Sequence, residues 1–106
     1  MAMKLEYIST FYEDILSIDS YLEEYPQKAK RIFEKIDEKL NKLVDHPELY
    51  PVYDDFPAFR RIVIEDFLVF YAIKEDDDII EIHRVINGKI DVPSRLSSDH
   101  DAFAKE

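Results

Sequence analysis

The chain has 106 residues, 46% of them apolar and 13% aromatic, a composition that is typical of one globular domain and excludes a disordered chain. It has no cysteine, which excludes disulfides, a thiolate metal site and a cysteine nucleophile, and no apolar run approaches the about 18 residues of a membrane span. Twenty-four acidic residues against 14 basic ones give a net charge of −10, which disfavours phosphate binding through a broad positive surface.

The first half of the chain predicts a strand followed by two helices. Residues 4–9 alternate apolar and polar side chains, as a short strand does, and Ser9 or Thr10 can cap the helix that follows. That helix carries an apolar stripe at steps of three and four residues: Phe11, Ile15, Ile18 and Leu22. Tyr25-Pro26 ends it, since a residue before proline is driven out of helical geometry. Pro26 also suits the first turn of a second helix, which continues to about Asp45.

A proline loop, residues 46–58, separates the helices from three predicted strands. The strands are residues 59–65, 67–74 and 79–86, and the short connections between them are typical of antiparallel hairpins. The middle strand is apolar on both faces, as a strand covered on both sides is. A turn at Asn87-Gly88 ends the sheet.

These elements predict an α+β fold, in which an N-terminal strand and a helical hairpin pack on an antiparallel sheet that ends in a three-stranded meander. Residues 1–92 form its single domain, and residues 93–106 are a polar tail. Because the helices take one face of the sheet, the other face is left for a cover or a ligand.

Four residues of the predicted strands are candidates for chemistry or binding. Arg60 and Arg61 are adjacent, so one lies on each face of the sheet, either as a solvated strand end or as a partner contact. Strand alternation also predicts opposite faces for His83, as an exposed or edge histidine, and Arg84, on an apolar face with Ile80, Ile82 and Ile86. A guanidinium on an apolar face needs a partner. An ion pair with an acidic residue of the proline loop and a functional role both remain open for Arg84.

Two charged clusters have simpler interpretations. Six basic residues of the second helix suggest a nucleic-acid surface: Lys28, Lys30, Arg31, Lys35, Lys39 and Lys42. Acidic residues are interleaved with them, which favours a solvated helix face. Residues 76–78 are three aspartates without the spacing of a calcium loop, which favours a hairpin turn. We therefore expect neither a metal nor a cofactor.

The order of these elements and their motifs resemble the RelE/ParE superfamily of toxins from type II toxin–antitoxin systems. The resemblance covers roughly residues 4–96. It is carried by FRRIVI (59–64), FLVFY (67–71), IHRVINGKID (82–91) and PSRL (93–96). Each motif alone is common, but their order and spacing are together more specific.

Two positions distinguish branches of that superfamily. Its ribosome-dependent ribonucleases carry an arginine where Leu68 stands here, and many relatives have a second basic residue where Ile90 stands. ParE-like members, which poison DNA gyrase, have an apolar residue at the first position. The resemblance therefore favours the ParE branch.

The resemblance implies a cytoplasmic toxin that inhibits DNA gyrase by binding, and a cognate antitoxin whose disordered segment folds over the helical hairpin and the open sheet face. The implied target-binding residues are Arg60, Arg61, Arg84, Lys89 and Arg95. One alternative is a ribosome-dependent mRNA endonuclease that uses Arg61, His83, Arg84 and Lys89. Another is an inactive relative that is kept for its antitoxin complex.

Overall fold

The first half of the chain folds as a strand and two helices in the computed structural model, which describes residues 3–88. These elements are β1 (Lys4–Tyr7), α1 (Ser9–Tyr21) and α2 (Pro26–Leu43). Pro26 takes the first turn of α2 as predicted. The predicted side-chain cap of α1 is wrong, because Ile8 is the residue at the cap position. Within the described residues, neither helix combines the length and apolar character that a bilayer span needs.

The second half forms the predicted meander. Its strands are β2 (Arg60–Ile64), β3 (Phe67–Lys74) and β4 (Ile79–Asn87). β2 pairs with β3 and β3 with β4 in antiparallel fashion, and the sheet order is β1-β4-β3-β2. The α+β fold is confirmed. β1, however, joins the sheet parallel to β4, so the four-stranded sheet is mixed.

Both faces of the sheet are covered. The core beneath the helices is built from buried residues of α1 and α2 and from one face of the strands, including Ile62, Val69 and Ile82. A second core on the opposite face holds Phe59, Phe70, Ala72 and Ile86, with Tyr53, Phe56 and Leu68 packed against it. The face predicted to be open is therefore covered by the proline loop.

The proline loop also protects the outer edge of β2. Val52 forms a single antiparallel bridge to Arg60. The Arg61 amide donates to the Pro51 carbonyl at 3.0 Å, and the Tyr53 amide donates to the Phe59 carbonyl at 2.9 Å. These bonds satisfy edge groups that would otherwise invite another strand.

Candidate functional site

A β-bulge in β4 sets the directions of His83 and Arg84. Tyr71 of β3 lies opposite Ile82 and Phe70 lies opposite Arg84, so His83 is an extra residue without a partner position on β3. A bulge interrupts the alternation of faces along a strand. Both His83 and Arg84 therefore start from the face that carries Phe70, and the prediction of opposite faces is wrong.

The bulge also separates the neighbours that were expected for Arg84. Ile80 and Ile82 pack in the core beneath the helices, whereas Ile86 packs in the second core. The prediction that all three share a face with Arg84 is therefore wrong. A bulge depends on how two strands pair, and nothing in the local pattern of apolar residues indicates it.

His83 is buried, with only 5% of its surface exposed. Its Nε2 lies 3.1 Å from the Oε1 of Glu81, and its ring meets that of Phe59 edge-on at 5.0 Å between centroids. The other carboxylate oxygen of Glu81 lies 3.4 Å from the Nζ of Lys74. The expectation of an exposed or edge histidine is wrong, because the proline loop brings Phe59 over it. This burial removes His83 from a role that needs contact with a substrate.

Arg84 is held by Asp14 of α1. Its Nε and Nη2 donate to the two carboxylate oxygens of Asp14 at 2.7 and 2.9 Å. Both side chains are largely buried, at 13% and 15% exposure. The expected ion pair exists, but its acid comes from α1 and not from the proline loop. The two residues are 70 positions apart, so no local signal could have paired them.

The same carboxylate closes the open edge of β4. β1 pairs with β4 only as far as Ile82, and the Ile8 amide donates to the Ile82 carbonyl at 3.0 Å. Beyond that point the Thr10 hydroxyl donates to the His83 carbonyl at 3.0 Å. The Val85 amide donates to Asp14 at 3.0 Å. Polar side chains of α1 thus take the place that a neighbouring strand would occupy.

A groove of about 380 Å³ lies beside this closed edge. Asp14 and Arg84 line it together with the exposed side chain of Tyr21, the buried ring of Phe67 and Asn87 at the end of β4. The groove thus contains the ion pair, but His83 does not line it. It brings a paired cation next to polar and apolar surface.

Arg60 and Arg61 lie on opposite faces as predicted. Arg60 pairs across to Tyr71, and its Nη1 donates to the Tyr50 carbonyl at 2.7 Å. Arg61 pairs across to Phe70, and its guanidinium carbon lies 5.4 Å from the centre of the Tyr53 ring. Both arginines thus hold the proline loop against the sheet. Lys89 and Arg95 lie outside the described residues.

The basic residues of α2 are engaged within the molecule. Ion pairs join Lys28 to Asp66, Lys30 to Glu34, Arg31 and Lys35 to Glu65, and Lys42 to Glu38. The Nζ of Lys39 lies 5.8 Å from the centre of the Tyr50 ring. Hydrogen bonds from Arg31 are the main cause that lowers the pKa of Glu65 from 4.5 to about 2. This pairing favours the solvated helix face over a nucleic-acid surface.

The three aspartates at residues 76–78 form a turn, as predicted. Glu75–Asp77 is a short 3₁₀ turn, and Asp78 follows it in the left-handed conformation with φ 55°. Aspartate tolerates that conformation better than most residues. Across residues 3–88, no group of three His, Asp or Glu side chains is arranged to hold a metal ion.

An apolar groove of about 310 Å³ lies between α1 and α2. We call it the aromatic groove, and its lining residues are Tyr7, Phe11, Tyr12, Ile15, Phe33, Ile36, Asp37 and Leu40. Phe11, Ile36 and Leu40 are buried and form its floor, whereas Tyr12 is 56% exposed. One turn along α1, Leu16 is 70% exposed, so apolar surface continues past the groove. No sequence pattern indicates this surface, because only the packing of the two helices separates the floor residues from the exposed ones.

The sequence and the fold of this chain are both similar to those of known proteins. The family model described as the ParE toxin of the type II toxin-antitoxin system, parDE, matches residues 5–92. No curated protein sequence matches the chain.

Solved structures with the same fold include the chromosomal ParDE toxin–antitoxin system from P. aeruginosa, which is 20% identical over 81% of this chain and 96% of that chain, with a TM-score of 0.67. A mutant of the E. coli toxin RelE in the free state is 14% identical over 97% and 98% of the two chains, with a TM-score of 0.63. The RelBE2 toxin–antitoxin complex from Mycobacterium tuberculosis is 12% identical over 82% and 99%, with a TM-score of 0.59. At these identities the likeness shows a shared fold.

Proposed function

Because the chain belongs to the ParE toxin family of type II toxin–antitoxin systems, we propose that it acts in the cytoplasm by binding DNA gyrase and that it cleaves no RNA. The family match covers most of the chain, and the fold agrees with it. The choice between gyrase and RNA depends on what the candidate side chains are free to do.

Cleavage of RNA by attack of a 2′-hydroxyl needs a general base, a general acid and a cation on the phosphate, all at one accessible place. His83 is buried against Glu81 and Phe59. The guanidinium of Arg84 is bound by Asp14 through two short hydrogen bonds. The proposal rests on one observation: His83 and Arg84 are both engaged in contacts inside the molecule.

Leu68 supports the same conclusion. The ribonucleases that the chain resembles have an arginine at this position. Here the side chain packs against the second core, and Gly88 approaches it closely: a Cβ added at Gly88 would lie 3.7 Å from Leu68. An apolar residue at this position contributes packing, but it has no charge that could bind a phosphate.

We propose that Arg61, Lys89 and Arg95 contact gyrase directly and that Arg60 and Arg84 position the surface around them. Arg60 anchors the proline loop through the Tyr50 carbonyl, and Arg84 fixes α1 against the edge of β4. Arg61 extends from the face that the loop covers, where its guanidinium lies over the ring of Tyr53. Arginine is enriched at protein interfaces because its planar group combines stacking with several hydrogen bonds.

A cognate antitoxin is the second partner. The P. aeruginosa and M. tuberculosis structures are toxin–antitoxin systems. We propose that a segment of the antitoxin, disordered when free, folds onto the helical hairpin of this chain. Within residues 3–88, the proline loop occupies the second face of the sheet, and the aromatic groove between α1 and α2 offers an apolar surface to that segment.

Controlled expression in a bacterial host tests the proposal, with two measurements on the same culture. One follows mRNA integrity on ribosomes and the other counts gyrase-trapped chromosome breaks. We expect growth arrest, breaks and intact mRNA. Cleaved mRNA with an intact chromosome would overturn the proposal in favour of a ribosome-dependent endonuclease. Normal growth with soluble protein present would identify an inactive relative.

A matched pair of variants tests the proposed contact. Arg61→Gln removes a guanidinium on the proposed gyrase surface, so we expect fewer breaks at equal protein level. Lys30→Gln removes an equal charge from the exposed face of α2, where Lys30 pairs only weakly with Glu34 at 3.9 Å, and should leave the breaks unchanged. Equal breaks in both variants would remove Arg61 from the contact surface.

A further inference from the structure

The aromatic groove contains one charged residue, Asp37 of α2. Its side chain is exposed, and no ion pair reaches it from any basic residue within residues 3–88. The positions three and four residues away on α2 carry no basic side chain, so the helix itself offers no partner: Phe33, Glu34, Leu40 and Asn41. By contrast, Glu34 and Glu38 on the same helix pair with lysines. Asp37 therefore presents an unneutralised carboxylate at an apolar surface.

Three aromatic rings lie beside this carboxylate. The ring of Tyr7 is 5.2 Å from that of Phe11 and 6.0 Å from that of Tyr12, measured between centroids. The rings of Phe11 and Tyr12 are 6.0 Å apart and nearly perpendicular. Burial raises the pKa of the Tyr7 phenol, and the negative charge of Asp37 raises it further. The carboxylate of Asp37 and the three aromatic rings therefore line the same part of the groove.

Elsewhere the chain places its own cations over partly buried tyrosine rings. Lys39 lies over Tyr50 and Arg61 lies over Tyr53. Within the described part of the chain, no lysine or arginine lies over Tyr7, Phe11 or Tyr12. A cation is attracted both by the faces of aromatic rings and by a carboxylate, and guanidinium and ammonium groups are the cations that proteins supply. The groove is therefore complementary to a cationic side chain that the described chain does not provide.

We propose that the aromatic groove binds an apolar helical segment of a partner protein, and that this segment places one Lys or Arg side chain between Asp37 and the rings of Tyr7 and Tyr12. The apolar residues of the segment pack on Phe11, Ile36 and Leu40 and extend towards the exposed Leu16. The net charge of −10 favours a basic segment over an acidic one. The identity of the partner as the antitoxin rests on the proposed function, whereas the binding chemistry does not.

Peptide selection against the full chain tests this proposal without any measurement of toxicity. The probe is a displayed library of helical peptides of about 16 residues, long enough to form a helix, with a fixed leucine stripe and all other positions randomised. Selections are run in parallel on the wild type, on Asp37→Asn and on Asp19→Asn. Asp19 is an exposed carboxylate of α1 outside the groove, so its replacement removes the same charge from elsewhere on the surface. Both residues are exposed, so neither replacement changes the packed core, and circular dichroism checks the fold of each variant.

We expect peptides selected on the wild type and on Asp19→Asn to carry Lys or Arg at one fixed position relative to the leucine stripe, and peptides selected on Asp37→Asn to lack it. A synthetic peptide from the wild-type selection should bind Asp37→Asn about tenfold more weakly, a loss of about 1.4 kcal/mol, and Asp19→Asn within about twofold. Tyr12→Ala should weaken the same peptide.

Three results would overturn the proposal: no selected peptide, no cationic preference, or equal losses in Asp37→Asn and Asp19→Asn. Equal losses would show only that the acidic surface as a whole attracts a cationic peptide. A growth experiment that refutes gyrase inhibition would leave these binding results unchanged, so the two failures are distinguishable.

Discussion

One inserted residue decides the chemistry of β4. His83 interrupts the pairing with β3, and as a result it faces Phe59 and Glu81 under the proline loop. Arg84, displaced from the face that regular alternation would give it, meets Asp14 at the edge of the sheet. Adjacent histidine and arginine in a sequence suggest acid–base chemistry on a phosphate. In this fold they are two separate structural contacts, one in the second core and one at the strand edge.

Arg84→Ala should destabilise the protein by about 3 kcal/mol, because it leaves the largely buried Asp14 carboxylate without its cation. Asp14→Asn should cost less, since an amide oxygen can still accept the hydrogen bond of the Val85 amide. Urea denaturation of the two single variants and the double variant gives the coupling between the residues. If Arg84→Ala had the stability of the wild type but lost its toxicity, Arg84 would instead be a direct gyrase contact.

At the scale of elements, the helices and strands follow from local pattern, and their assembly does not. The predicted range 67–74 agrees with β3, 59–65 is one residue longer than β2 at each end, and 79–86 is one residue shorter than β4 at its end. Apolar periodicity and proline positions suffice for this, because they act over a few residues. The parallel pairing of β1 with β4 and the Asp14–Arg84 contact join positions at least 70 residues apart, where no periodic signal exists. The bulge depends on how β4 pairs with β3, which the pattern of either strand alone does not contain.

The same distinction applies to the candidate site. Sequence motifs selected Arg60, Arg61, His83 and Arg84, and all four lie on β2 and β4 as expected. The partners of the three arginines come from the proline loop and α1, which the motifs do not include. Asp37 was not selected, because a lone aspartate on a charged helix has no pattern of its own. Its significance appears only when α1 brings aromatic rings to it.

The connection between β2 and β3 is held by α2 through Glu65, which yields a prediction for acid pH. Glu65 has φ 53°, a left-handed conformation that glutamate rarely adopts, and it accepts hydrogen bonds from Arg31 at 3.0 and 2.8 Å. Its pKa is lowered from 4.5 to about 2, so its contribution to stability is present above pH 4.5 and is lost as the pH falls through 2. Glu65→Gln should therefore lower the urea midpoint at neutral pH, and the difference from the wild type should shrink towards pH 2.

Glu34→Gln is the control for this prediction, because it removes an exposed carboxylate that pairs only with Lys30 on the same helix. Its urea midpoint should stay close to that of the wild type across the same pH range. A Glu65→Gln midpoint that is unchanged at neutral pH would show that the contact with α2 does not hold the turn.

For the whole molecule, the fold leaves little of the sheet accessible. α1 closes the edge of β4, residues 51–53 pair along the edge of β2, and the two cores cover both faces. Across residues 3–88, the outside includes a helix whose basic residues are mostly paired with carboxylates, the aromatic groove and the groove beside Asp14 and Arg84. The chain as a whole is strongly acidic, with a net charge of −10. Such a surface suits contacts with proteins, since nucleic acids are bound through unpaired positive charge.

The purified protein should therefore show no saturable binding to duplex DNA or to RNA at physiological salt, because its net charge of −10 repels the phosphates and five of the six basic side chains of α2 are held by carboxylates. Fluorescence anisotropy measures this binding, with labelled duplex DNA and labelled single-stranded RNA as probes, at low and at physiological salt. The double variant Glu34→Lys/Glu38→Lys frees Lys30 and Lys42 and adds two cations, so it should gain weak, salt-sensitive binding and show that the assay detects such a surface.

Tight binding by the wild type, falling steeply with salt, would mean that ion pairs on α2 open to phosphate. Gyrase-trapped breaks would then have to be explained by contact with the DNA held in the enzyme, and not by contact with the enzyme alone.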